Sequence, residues 1–240
     1  MQITLRDVRV DGRREPMLEA TDLTVSTGEC LLVAAEPGHG HTALALVATG
    51  RLAPSTGRVR LVLGEADDVR PAVRALLADP RRPTPAETLR GVSAVVDVPG
   101  VNEPDDALTV SDVVAEGLAL AGRRSLPQDV TRWLGAHSLV AERRTRIDQL
   151  PGVVRTAVLA ALAAERPGVR FLALTLPDRH GGEPDGWWEV ARTLAASGLG
   201  VLVQCSRASA RALGADLPPA RGSLHEPPVV APVTTSKEDR

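Results

Sequence analysis

Apolar and polar residues alternate along "QITLRDVRV" from Gln2 and again along "MLEATDLTV" from Met17, with the charged stretch "DGRREP" between them. A period of two gives each run one apolar face, which predicts two antiparallel strands at a sheet edge. "GECLLVAA" drops the alternation and is continuously apolar, the pattern of a strand buried on both faces. A helix is expected from near His41 to Gly50, and Pro54 and Gly57 punctuate "RLAPSTGRVRLVLG" into a turn and a further strand. Residues 65–90, which contain "DPRRPTP", read as a helix-prone, exposed insertion, and "GVSAVVDVPG" as the next buried strand.

From Leu108 to about Glu142 the period is helical, which predicts an inserted helical subdomain over about 107–150. "QLPGVVRTAVLAALAAERPGVRFLALTLP" is a long apolar helix, a turn at Pro167 and Gly168, and a strand; "GWWEVARTLAASGLGVLVQCS" repeats helix, glycine and strand. Of the two tryptophans that open that repeat, Trp187 and Trp188, one is expected in the core and the other half exposed. Strands alternating with helices predict an α/β fold with a mainly parallel sheet, preceded by the antiparallel N-terminal sheet. This domain spans 1–216, and the proline-rich, polar residues 217–240 read as a mobile tail.

Composition narrows the function classes. The formal net charge is −2 and 43 % of the residues are hydrophobic, with no basic excess to suggest nucleic acid or an anionic membrane as a direct partner. No run reaches the roughly 18 apolar residues of a membrane span, and the start lacks the apolar core of a signal peptide, so a cytoplasmic protein without direct membrane insertion is expected. Cys30 and Cys205 sit inside apolar runs and read as small buried hydrophobes in a reducing compartment. The single lysine, Lys237, lies in the tail, so no shift of alignment supplies a phosphate-loop lysine.

The candidate chemistry lies in "AAEPGHGHTALA", Ala34 to Ala45, between a strand and a helix. The phosphate-loop pattern G-x-x-x-x-G-K-[ST] is matched at Gly40 and Thr42, with Gly38 as a further glycine, but His41 stands at the lysine and Ala35 at the first glycine. Gly38 and Gly40 keep the freedom to aim backbone N–H groups at phosphate, and Thr42 keeps a hydroxyl. The same residues also suit a tight strand-to-helix turn, so both readings stay open. His39 and His41 form an H-x-H pair, a metal-ligand spacing without an obvious third ligand.

The order of segments over residues 3–215 resembles the ATP-binding subunit of ABC transporters. "STGECLLVAAEPGHGHTAL" is similar to its Walker A region, "GRLAPSTGRVRL" to the stretch that follows, and "ALTVSDVVAEGL" to the opening of its helical subdomain. "QLPGVVRTAVLAALAAERPGVRFLALTLP" is similar to the signature helix and Walker B strand, and "ASGLGVLVQCS" to the strand that ends in the H-loop. The resemblance implies a P-loop NTPase-like fold, and it places this chain's residues at the family's functional positions. Thr175 stands at the Walker B aspartate, Leu176 at the catalytic glutamate, Ser206 at the H-loop histidine and Asp97 at the Q-loop glutamine. "LPGVV" (Leu150 to Val154) stands at the signature "LSGGQ", and His180 to Pro184 at the D-loop. No aromatic residue is found near Asp11 and Gly12, where the family stacks adenine.

The expectation is therefore a degenerate, non-hydrolysing subunit with weak or no ATP binding and no Mg²⁺ chemistry, any residual nucleotide contact falling on Gly38, Gly40, His41 and Thr42. The resemblance implies a membrane permease and a second ATP-binding subunit as partners, and a place on the inner face of the membrane through that permease. The arginines of the helical subdomain, Arg123, Arg124, Arg143, Arg144 and Arg146, are either a solvated face or a docking surface. Two rivals remain. One is a weak ATPase built on His41 and Asp178; the other is a scaffold that binds no nucleotide, its phosphate site filled by the side chains of Ala35, Glu36 or His41.

Overall fold

The computed structural model describes residues 1–64, 84–220, 222 and 225–233. Most of the expected insertion over 65–90 lies outside these residues. Its end is helix α2, set out below.

β1 (Gln2–Asp11) pairs antiparallel with β2 (Pro16–Ser26) and with β4 (Thr56–Val62), giving a three-stranded sheet ordered β2-β1-β4. Ile3, Leu5, Val8 and Val10 bury one face of β1, as the alternation requires. The second sheet holds β5 (Ser93–Val96), β6 (Phe171–Thr175), β7 (Gly200–Ser206), β3 (Cys30–Ala35) and β8 (Val229–Val230), in that order. Its first four strands are parallel and continuously apolar because helices cover both faces.

α1 (His41–Ala48) packs on one face, between the two sheets, in a core that includes Leu5, Leu44, Phe171 and Leu202. α5 (Gly152–Ala164), α6 (Pro184–Ala196) and α7 (Arg207–Ala212) follow the order helix, strand, helix on the other side, where Trp187 is fully buried and Trp188 half-buried. α3 (Val110–Leu120) and α4 (Pro127–Ala136) lie between β5 and β6 in sequence and close a third core with α5 around Val114, Trp133, Ile147 and Leu162. α2 (Pro85–Val92) and α3 each start on a capping box, Thr84 with Glu87 and Thr109 with Asp112.

Within 217–240, where a mobile tail is expected, residues 229–231 are held on the sheet. Val229 and Val230 pair antiparallel with Ala34 and Val33, the Ala231 N–H donates to Leu32 O at 2.9 Å, and Arg207 donates to Pro218 O. Two β-branched residues close the open edge of β3, a tertiary effect that proline-rich composition conceals.

Candidate functional site

The β3–α1 loop lies at the C-terminal end of the parallel strands, where an open α/β sheet places ligands. Gly38 and Gly40 adopt φ of 88° and 92°, the left-handed region that glycine enters freely. Gly40 is also closely packed: a Cβ there would lie 2.8 Å from Leu18 Cδ1 and 2.9 Å from Met17 O, whereas a Cβ on Gly38 would meet open space. No side chain caps α1, so its first N–H groups stay open beside the loop and the positive end of the helix dipole faces them.

His41 turns the other way. Its ring is 4 % exposed and its Nε2 lies 3.2 Å from Cys205 O at the end of β7. Burial pushes the imidazole below its ordinary range, opposed by the Cys205 carbonyl, Asp178 and Glu36. The ring is thus neutral at pH 7 and donates Nε2–H to that carbonyl. The loop keeps its backbone amides and the half-buried Thr42 but has no cation where a lysine would stand. His39 remains half-buried in the loop itself.

The strand end opposite carries no charge either. Thr175 is buried, and its register partner on β7 is Gln204. The Thr175 hydroxyl and both polar atoms of Gln204 have no hydrogen-bond partner among the described residues. Leu176 adopts φ 51°, an uncommon conformation for a branched residue, and its N–H is tied to Gln204 O at 2.7 Å. Asp178 Oδ2 accepts from the Ser206 N–H at 2.9 Å and from Ser209 Oγ at 2.7 Å, while its Oδ1 is buried with no hydrogen-bond partner among the described residues. Ser206 is the N-cap of α7, its Oγ accepting from the Ser209 N–H. These residues fit a phosphate group through amides alone. Thr175 and Leu176 place no carboxylate at the end of β6.

Beside this end of the sheet is a charged cluster that no local pattern announced. Asp97 follows β5 with φ 55°, in a turn laced by Asn102, which accepts from the Val98 N–H and donates to Val95 O, both at 2.8 Å. Arg155 of α5 grips the Asp97 carboxylate with Nε and Nη2 at 3.1 and 3.0 Å. Arg179 Nη2 donates to it at 2.9 Å and also to Glu103 at 3.0 Å, and His180 Nε2 lies 2.7 Å away. Burial alone would raise the Asp97 carboxyl, but the hydrogen bonds from His180 and Arg155 and the charges of Arg179 and Arg155 outweigh it and hold the group at about 2. The cluster fastens α5 to the segment after β6. Gly152 packs against that same segment, since a Cβ there would lie 2.4 Å from Gly181 O.

The expected site residues thus divide. Gly38, Gly40 and Thr42 border the loop mouth, and His41 leaves it for the interior. Cys205 is fully buried and Cys30 half-buried; both are free thiols pushed up by burial, Cys30 to about 12.

Among solved structures, an ATP-binding subunit of an ABC transporter aligns over 88 % of this chain and 82 % of its own length, with a TM-score of 0.54 and 17 % identity. A nucleotide-free ATP-binding cassette aligns over 86 % and 82 %, with a TM-score of 0.56 and 15 % identity. The chain has the fold of an ABC transporter ATP-binding domain. The ADP conformation of another such cassette matches this ABC-type fold at a TM-score of 0.56 and 17 % identity, over 86 % of this chain and 82 % of its own. In sequence, the ABC transporter ATP-binding protein RamB of Streptomyces coelicolor is 32 % identical over 160 residues, which is 67 % of this chain. The chain spans about a fifth of that relative's length, the match covering 22 % of it. No protein-family model matches the chain. No helix among the described residues is long and apolar enough to cross a membrane.

Proposed function

We propose that this chain is a degenerate ABC-type ATP-binding subunit that does not hydrolyse ATP and binds it weakly or not at all. On this reading it works as a cytoplasmic partner of a membrane permease and of a second, active ATP-binding subunit. The observation that carries the reading is His41: the residue at the phosphate-contacting position is neutral, buried and committed to Cys205 O. Thr175, Leu176 and Ser206 support it, because each is uncharged and has a structural partner or an interior position. Phosphoryl transfer depends on charge stabilisation, and a single charged group is commonly worth about 10³–10⁵ in rate, so their joint replacement removes the chemistry. The arginine-bearing face of the helical subdomain suits docking. Arg123, Arg124 and Arg146 are held by Glu165, Asp129 and Asp148, whereas Arg143 and Arg144 border an open pocket of about 490 Å³.

A thermal-shift titration of the purified chain with ATP, with and without Mg²⁺, tests the reading. Tight binding at 100 times the dissociation constant would add ~2.7 kcal/mol of stability. The expected result is a small shift that Mg²⁺ does not increase. A large shift that requires Mg²⁺ would contradict the proposal. A flat response to ATP would favour the rival reading, a scaffold that binds no nucleotide.

A further inference from the structure

At the opposite end of the parallel sheet from the β3–α1 loop, the C-terminal ends of three helices meet the start of β5. α1 ends at Ala48, α2 at Val92 and α5 at Ala164, and each brings an arginine: Arg51, Arg90 and Arg166. Arg51 donates through Nη1 to Thr49 O at 3.0 Å and through Nη2 to Ser93 O at 3.1 Å. Arg166 Nη2 donates to the same Ser93 carbonyl and to Arg90 O at 2.8 Å, and Arg90 Nη1 donates to Gly50 O at 2.8 Å. Two guanidinium groups therefore share one carbonyl oxygen.

Helix C-termini attract cations, which explains where these side chains rest, but each terminus supplies only about half a negative charge. No carboxylate forms an ion pair with any of the three among the described residues, whereas buried Arg155 has Asp97 and buried Arg207 faces Glu36 at 3.9 Å. Burial, then the charges of Arg166 and Arg90, push Arg51 down to about 10. Arg166 Nε is buried with no hydrogen-bond partner among the described residues. Among the described residues, the Arg166 Nε donor thus has no acceptor, and none of the three guanidinium groups has a carboxylate at ion-pair distance.

Arg51 and Arg166 also line one end of a cleft of about 540 Å³ between β5, α3 and α5. Its other walls are apolar at Val101, Leu159 and Leu162, with Leu120 76 % exposed, and also carry the carboxylates of Asp97, Glu103 and Glu116. We propose that Arg51 and Arg166, with Arg90 beside them, form a binding site for an oxyanion, the phosphate or carboxylate group of a ligand whose apolar body lies against the apolar wall of this cleft. Planar guanidinium groups suit such a group because they offer paired donors to its oxygens. The site is independent of the β3–α1 loop and of whether that loop binds ATP.

Inorganic phosphate, titrated against chloride at constant ionic strength and read by thermal shift, tests it on the whole chain. A saturable stabilisation is expected, weakened at least ~tenfold in apparent affinity by Arg166→Gln and by Arg51→Gln. Arg90→Gln, at an exposed position, is expected to weaken it too and serves if a half-buried variant fails to fold. Thr42→Glu, which puts a carboxylate at the loop, is expected to leave it unchanged. No saturable effect, an undiminished effect in the arginine variants, or its loss in Thr42→Glu would overturn the proposal, the last by placing the anion on the loop.

Discussion

Asp97→Ala is expected to destabilise the fold by ~3–5 kcal/mol, because it leaves buried Arg155 with only the exposed Asp106, 3.8 Å from its Nη1, as a counter-charge. Arg155 and Asp97 have side chains only 3 % and 8 % exposed, and the pair makes two hydrogen bonds. The exposed pair Arg6–Asp22, at 4.0 Å, is the internal contrast, and its removal is expected to change stability by less than ~1 kcal/mol. Urea unfolding of Asp97→Ala and Arg6→Ala beside the parent checks both. A loss below 1 kcal/mol for Asp97→Ala would show that the cluster does not hold α5 to the segment after β6.

The same carboxylate sets an acid limit. Its folded value of about 2 lies below the ordinary 3.8, so its contribution is fully present above pH 4 and is lost as the pH falls toward 2. The amount is ~2 kcal/mol. Unfolding midpoints measured between pH 5 and pH 2 should fall more steeply in the parent than in Asp97→Ala.

The second large effect concerns nucleotide affinity. His41→Lys is expected to strengthen ATP binding by about tenfold or more, since an ammonium group cannot stay charged in the buried position of the ring and its long stem can reach the loop mouth. Loss of the hydrogen bond to Cys205 O should lower stability by ~1 kcal/mol. Turnover should remain at background, because Thr175 and Leu176 still supply no carboxylate. Binding of a fluorescent ATP analogue, measured beside phosphate release, separates the two effects. Unchanged affinity would mean that the loop amides no longer cradle phosphate.

Much of this architecture is legible in the chain. The alternation of β1 and β2 and the continuous apolar strands follow from periodicity alone, since local pattern decides which face is buried. The sequence also puts one of Trp187 and Trp188 in the core but leaves open which one. The order of segments was enough to anticipate the ABC-type fold. The direction of the His41 side chain was not legible, because a loop residue can turn outward to solvent or inward to a strand end, and only the Cys205 carbonyl, 164 residues away, selects the second. The Asp97 cluster was hidden for the same reason: its partners lie 58, 82 and 83 residues further along the chain. Its one signal was an acidic residue at the Q-loop position. The strand at Val229 and Val230 escaped notice because two residues among prolines carry no period.

The central claim is that the fold has been kept while its phosphoryl-transfer chemistry has been lost. Phosphate release from Mg²⁺–ATP by the purified chain, with Asp178→Asn as the comparison, tests that most directly. Release indistinguishable from a no-protein blank, in parent and variant alike, is the predicted result. Steady turnover that requires Mg²⁺ and disappears in Asp178→Asn would contradict it and make Asp178 the base of a working ATPase.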